Sequence, residues 1–103
     1  MGTISVDQIL VTPLNRISLE GGDVLHAMKC TDNGFVDFGE AYFSFIDIDS
    51  IKAWKRHLRM TLNIVIPVGA VPFVFIDDQG GMRAEVIGLD RYVRLIIPQG
   101  IWF

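Results

Sequence analysis

One short stretch of this sequence gathers the side chains that can do chemistry. Lys52-Ala-Trp-Lys-Arg-His-Leu-Arg59 sets His57 among the cations Lys55, Arg56 and Arg59. An imidazole titrates near neutral pH and can both take and return a proton. Ammonium and guanidinium groups beside it can hold an oxyanion or a diphosphate through charge-assisted hydrogen bonds. If Trp54 to Ile66 is extended, alternation sets Lys55, His57, Arg59, Thr61 and Asn63 on one face and Trp54, Arg56, Leu58, Met60, Leu62 and Ile64 mainly on the other. That polar face either lies in solvent over an apolar core or points into a concave mouth that takes a small ligand. In the second arrangement Lys55, His57 and Arg59 line an anion-friendly pocket. Tyr42 alternates with Phe43 and Phe45, beside Glu40 and Ser44, and is a further side chain able to reach such a pocket. His26, isolated among apolar residues in Asp23-Val-Leu-His-Ala-Met-Lys29, reads as structural.

The elements that must position these groups read as strands. Glu40–Ile48, Ala53–Ile66, Val71–Ile76, Glu85–Gly88 and Tyr92–Ile97 alternate or run apolar and are rich in β-branched and aromatic residues. Turn residues separate them, at Asp47-Ile-Asp-Ser50, Pro67-Val-Gly69, Asp77-Asp-Gln-Gly-Gly81, Gly88-Leu-Asp90 and Pro98-Gln-Gly100. Asp77–Gly81 is the clearest hairpin signal, because Asp and Gly tolerate the positive φ angles of tight hairpins. Phe43, Phe45, Phe73 and Phe75 fall two apart within their segments, which predicts core packing. Residues 1–39 are broken by Pro13, Gly21, Gly22 and Gly34 and read as an irregular arm with one or two edge strands, at Ile9–Thr12 and Asp23–Lys29. Short strands at close spacing predict an all-β sandwich or barrel in a single domain.

Composition narrows the function classes. The chain has 103 residues, half of them hydrophobic and a fifth charged, so it carries enough apolar surface for one core. Nine Lys and Arg against twelve Asp and Glu give a net charge of -3, which is not the footprint of a nucleic-acid-binding protein. The most apolar run, Leu62 to Ile76, is shorter than a membrane span and holds Pro67 and Pro72. The N-terminus has no secretory pattern. Cys30 is the single cysteine, cannot form an internal disulfide and reads as a buried thiol in a reducing compartment. A cytoplasmic location is expected.

With these residues in place, the chain resembles the cupins, whose jelly-roll fold has two characteristic blocks. His57 in a strand, the strand-Gly69-strand turn and Pro98-Gln-Gly100 after an apolar strand carry the resemblance. Metal cupins hold their ion with two histidines and an acid in the first block and a third histidine in the second. Here Arg59 stands for the second histidine, Asn63 near the acid and Phe103 for the last histidine, so the resemblance implies a cupin without a metal or other cofactor. From about Glu40 to Phe103 the chain is most similar to the dTDP-4-dehydrorhamnose 3,5-epimerase group, and secondarily to the dTDP-sugar 3,4-ketoisomerases. Lys52-Ala-Trp-Lys-Arg-His57, Ile66-Pro-Val-Gly69 with Val71-Pro-Phe-Val-Phe-Ile-Asp77, and Arg94-Leu-Ile-Ile-Pro-Gln-Gly-Ile-Trp102 are the matching pieces.

This resemblance implies a nucleotide-sugar substrate, a dTDP-4-keto-6-deoxy sugar, with His57 as general base and Lys55, Arg56, Arg59, Asn63 and Tyr42 as substrate-binding residues. It also implies pairing through strands into a homodimer. The group has an arginine three residues before its histidine, where Trp54 stands here, and a histidine where Phe103 stands. Its tyrosine acid and its histidine-orienting aspartate lie in C-terminal strands that would follow Phe103. An alternative reading is therefore a non-catalytic sugar-binding or nucleotide-sugar-binding cupin. A structural or regulatory β-domain with the Lys55–Arg59 face in solvent is a third.

Overall fold

The computed structural model describes residues 4–103. Among them are one 3-10 turn (Val6–Gln8) and seven strands: β1 (Leu10–Pro13), β2 (Arg16–Ile17), β3 (Val24–Leu25), β4 (Leu62–Val65), β5 (Ala70–Ile76), β6 (Met82–Gly88) and β7 (Val93–Ile97). All pairings are antiparallel. The main sheet runs β1-β7-β4, with Leu10 opposite Ile96 on one side of β7 and Leu62 opposite Ile97 on the other. β5 and β6 form a hairpin with Ala70 opposite Gly88 and Ile76 opposite Met82, and β2 and β3 form a short ribbon. No helix of the described residues is long and apolar enough to cross a membrane.

β7 is buried at every position because both of its faces are covered. Val93, Leu95 and Ile97 point to one side and pack with Val6, Ile9, Phe75, Ile87 and Ile101. Arg94 and Ile96 point to the other, beneath the loop that carries Ala27 to Gly34. There the guanidinium of Arg94, 1% exposed, donates from Nη1 to Ala27 O at 3.0 Å, from Nη2 to Asn33 O at 2.6 Å and from Nε to Asn63 Oδ1 at 3.2 Å. Asp32 adds a carboxylate oxygen 3.5 Å away. Gly34, at φ 87, lies so close to Ile96 that a Cβ would stand 2.6 Å from its Cδ1. The loop can therefore close onto the strand only as glycine.

The expected hairpin at Asp77–Gly81 is present, and its first residue does more than turn the chain. Asp77 Oδ1 accepts from the amides of Gln79 at 2.9 Å and Gly81 at 2.7 Å, while Oδ2 accepts from the amide of Val6 at 2.9 Å. These amides hold its carboxyl below the ordinary value, Val6 foremost, against the opposing effect of desolvation. A Cβ on Gly81 would collide with this carboxylate. Arg83 secures the same end of the molecule, donating to Val6 O at 3.0 Å and Ile9 O at 2.8 Å. Arg83 is balanced by Glu85, whose carboxyl is itself lowered by its hydrogen bonds to Arg91, first, and to Arg83.

Three expectations are corrected. Glu40–Ile48 is not a strand: residues 36–54 form an arm without strand or helix that turns at Asp47–Ser50, and Phe43 and Phe45 are 92% and 87% exposed instead of buried. Alternation measures compatibility with a sheet but does not secure a partner, and no strand of the described residues pairs with this segment. Ala53–Ile66 is strand only at Leu62–Val65, with one isolated bridge at Arg56. Cys30 is exposed, not buried: its loop is anchored to Arg94 by the carbonyls of Ala27 and Asn33 and the carboxylate of Asp32, none of which draws the thiol inward. Phe73 and Phe75 do pack as expected, with stacked rings 6.0 Å apart. Ile9–Thr12 becomes β1, an edge strand of the main sheet, and Asp23–Lys29 contributes only β3.

Two predictions follow from these buried charges. Arg94→Leu leaves Asp32 and three carbonyl oxygens unmatched and is expected to cost about 3 kcal/mol of stability, read from the urea midpoint. Because the folded-state pKa of Asp77 is depressed, its stabilisation is present above the unfolded carboxylate pKa and is lost as pH falls through the folded value. Thermal unfolding between neutral and acid pH should therefore show a fall in midpoint that Asp77→Asn flattens, starting from a lower midpoint at neutral pH.

Candidate functional site

The chain reaches the candidate site by crossing between sheets. After β7, the turn at Pro98–Gly100 sends residues 101–103 away from the main sheet to the open edge of the β5–β6 hairpin. Trp102 exchanges both backbone hydrogen bonds with Ile76, at 2.9 and 3.0 Å. On its other side the same segment pairs with residues 55–57: Lys55 exchanges bonds with Phe103 at 2.8 and 3.0 Å, and Gly100 N donates to His57 O at 2.7 Å. A short ribbon thus carries the candidate residues, and its side chains alternate as extended chain must.

Arg56 falls on the face of Trp102. Its guanidinium sits 4.6 Å from the centre of the indole ring and 3.2 Å from Asp78 Oδ2. Lys55 and His57 fall on the opposite face, around Phe103. The Lys55 ammonium lies 5.3 Å from the centre of the Phe103 ring, and the His57 ring centre lies 6.1 Å from it. Phe103 in turn packs 6.3 Å from Phe75, which is fully buried in the core. The Phe103 ring, packed on the core, is thus the common neighbour of the Lys55 ammonium and the His57 imidazole.

Nε2 of His57 is buried and has no hydrogen-bond partner among the described residues. Leaving a polar atom in that condition costs about 1–3 kcal/mol, so it marks a position where stability is given up. That nitrogen is engaged by no other group of the described residues and is the candidate proton acceptor of the ribbon. The Lys55 ammonium, on the same Phe103 ring, is a cation able to offset negative charge on a bound group.

The other expected residues separate into distinct surroundings. Asn63, on β4, is used within the fold: its Nδ2 donates to Gly34 O at 3.1 Å and its Oδ1 accepts from Arg94. Arg59 is exposed, and Tyr42 lies on the arm at 60% exposure. Both line a wide open groove together with Lys55, Asn63 and Phe103. His57 and Arg56 stand outside the lining of that groove. No three His, Cys, Asp or Glu side chains of the described residues cluster as metal ligands. His26 is exposed, and its backbone carbonyl accepts from Tyr92 Oη at 2.7 Å.

Sequence reasoning did not identify Phe103 as part of the site, seeing it only as the residue in a histidine's place. The signal was present in Pro98-Gln-Gly-Ile-Trp-Phe103, a turn followed by an apolar segment able to add a sheet row. Arg94 and Asp77 were also missed as organising groups, since nothing in their local sequence separates a buried charge from a solvated one.

The chain matches no protein-family model and no curated protein. Among solved structures it is similar to the crystal structure of a dTDP sugar isomerase from Desulfovibrio desulfuricans G20, with a TM-score of 0.89 and 36% sequence identity. The match covers 94% of this chain and 66% of the other, so this chain spans a little under two thirds of that protein's length. Nearly all β, antiparallel and cupin-like, the chain has a fold of the dTDP-sugar isomerase and epimerase kind.

Proposed function

We propose that this protein acts as a nucleotide-sugar isomerase or epimerase on a dTDP-4-keto-6-deoxy sugar, with His57 as the general base. The observation that carries this reading is the unpartnered Nε2 of His57, its ring and the Lys55 ammonium both set against Phe103, in a chain that shares its fold and 36% of its aligned residues with a dTDP sugar isomerase. The motif likeness favours the 3,5-epimerase group, with the 3,4-ketoisomerases second.

A hydrogen on the carbon beside a ketone is acidic because its bonding pair can delocalise onto the carbonyl oxygen. Nε2 takes that proton, the C–H pair becomes the C=C bond of an enolate, and the oxygen gains the negative charge. Lys55 offsets this charge, which is larger in the transition state than in the bound ketone. Return of a proton to the same carbon from the opposite face gives the epimer. Return to the neighbouring carbon, with a proton passing from one oxygen to the other, moves the ketone.

Arg59 and Tyr42, lining the groove with Lys55, are suited to the diphosphate and nucleoside. Asn63 shapes that wall while held by Gly34 and Arg94. Arg56 supports the ribbon from its other face, through Trp102 and Asp78.

The direct test follows the proton NMR signals beside the ketone of a dTDP-4-keto-6-deoxy sugar in deuterated water. Protein-dependent loss of those signals is expected, and His57→Asn should slow it by at least about 100-fold with little change in unfolding midpoint. Undiminished exchange in that variant would remove His57 from the role. Saturable binding without exchange in the wild type would favour the non-catalytic sugar-binding alternative. Lys55→Ala and Arg59→Ala should each weaken nucleotide-sugar affinity by about tenfold, measured by calorimetry, as expected for loss of one charge-assisted hydrogen bond.

A further inference from the structure

The nitrogen that would take the proton in the proposed reaction is closed off in the folded chain. Nε2 of His57 is buried and has no hydrogen-bond partner among the described residues. Lys55 and Phe103 line the open groove, and His57 does not. A ligand in the groove therefore meets the ammonium and the phenyl ring before it meets the imidazole. The ring that stands against the imidazole is Phe103, at 6.1 Å between centres and tilted by 40°. Its other neighbours include Phe75, 6.3 Å away in the core, and the Lys55 ammonium, 5.3 Å from its centre.

The backbone around these side chains is held on both sides. Lys55 and Phe103 exchange hydrogen bonds at 2.8 and 3.0 Å, and Gly100 N donates to His57 O at 2.7 Å. Parting the ribbon would break all three. Turning the Phe103 side chain from one staggered rotamer to another breaks none, so it is the cheaper way to uncover the imidazole. The balance of forces at the ring is also close. Closed, the ring keeps apolar contact with Phe75 and the attraction of its face for the Lys55 ammonium, and it leaves Nε2 without water. Open, it gives up those contacts, but Phe103 is only half-buried and the freed nitrogen regains a hydrogen bond. Opposing terms of similar size make the open form a minor state within thermal reach.

We propose that the Phe103 ring is the cover of His57 Nε2 and sets access to it, the imidazole meeting its substrate only after the ring has rotated aside. The role of this cover in catalysis rests on the sugar chemistry proposed above, whereas the cover itself belongs to the protein without substrate. Phe103 is a positioning residue that acts through His57: it keeps water from the base until a ligand occupies the groove side of the ring.

The chain has two histidines, and the exposed His26 is the reference for His57. The folded protein is treated with diethyl pyrocarbonate at neutral pH, and the nitrogen modified on each ring is identified by nitrogen NMR of isotope-labelled histidine. His57 Nε2 should react at least about tenfold more slowly than His26, as for a group uncovered in a tenth of the molecules or fewer. Phe103→Leu and Phe103→Met keep apolar bulk without a ring, and each should raise the His57 rate by about tenfold at an unchanged His26 rate. Phe103→Tyr, which restores a ring, should return the reaction to its slow rate. Reaction of His57 Nε2 as fast as that of His26 in the wild type, or slow reaction that persists in folded Phe103→Leu and Phe103→Met, would overturn the proposal. No sugar is present in this test, so its failure is distinct from failure of the proposed isomerisation. Slow modification relieved by the ring variants, with no proton exchange into a dTDP-4-keto-6-deoxy sugar by any of them, would retire the sugar chemistry and uphold the cover.

Discussion

A guanidinium group removed from water must be given oxygen acceptors in the plane of its N–H bonds, and the burial of Arg94 imposes that requirement on three separate parts of the chain. The loop at Ala27–Asn33 supplies two carbonyls, Asp32 a carboxylate and Asn63 of β4 an amide oxygen. Satisfying one side chain therefore places the loop over the outer face of β7 and fixes the register of β4 beside it. With its outer face covered, β7 can be apolar throughout and give its inner face to the core. The path of the chain beyond β7 is then determined: it turns at Pro98–Gly100 and lays Phe103 between Lys55 and His57.

Stability is distributed unevenly between the two ends of this arrangement. Around Asp77 and Arg83 nearly every polar atom has a partner, and the N-terminal turn, the hairpin and β6 are tied together by charge-assisted bonds. Around His57 the ribbon is only a few residues long, one imidazole nitrogen is unpartnered and the adjoining groove is open. A reactive group needs exactness of position together with freedom of its polar atoms, and these are supplied here by different residues. Position comes from backbone pairing with residues 100–103, and freedom comes from the apolar ring of Phe103, which offers no hydrogen bond.

What could be read in the sequence tracks how local the determining forces are. The β5 segment, its Asp-Gly turn and β7 were legible because turn chemistry and apolar patterning are local properties, and residues 71–76 and 93–97 are strands in the structure. The alternation that set Lys55 and His57 apart from Arg56 was also legible, although the strand assumed to carry it was far longer than the ribbon that does. Glu40–Ile48 has the pattern of a strand but pairs with no strand of the described residues. Asn63 was read as a pocket residue, and its amide is engaged by Arg94 and Gly34, partners about thirty residues away on either side. No window of sequence shows such partners.

The connection between Val6 and Asp77 spans 71 residues, and β1 finds its place only beside β7, with Leu10 against Ile96. Contacts this distant along the chain must be gathered against a large loss of chain freedom before they return any stabilisation, which puts such topologies among the slower folders. During synthesis β1 therefore emerges with its backbone groups unpaired and waits until β7 has been made. The lock between the N-terminal turn and the hairpin closes late, and until it does β1 is an exposed edge in a crowded cell. The same feature that makes the finished molecule secure at one end makes its assembly depend on the order in which the chain is delivered.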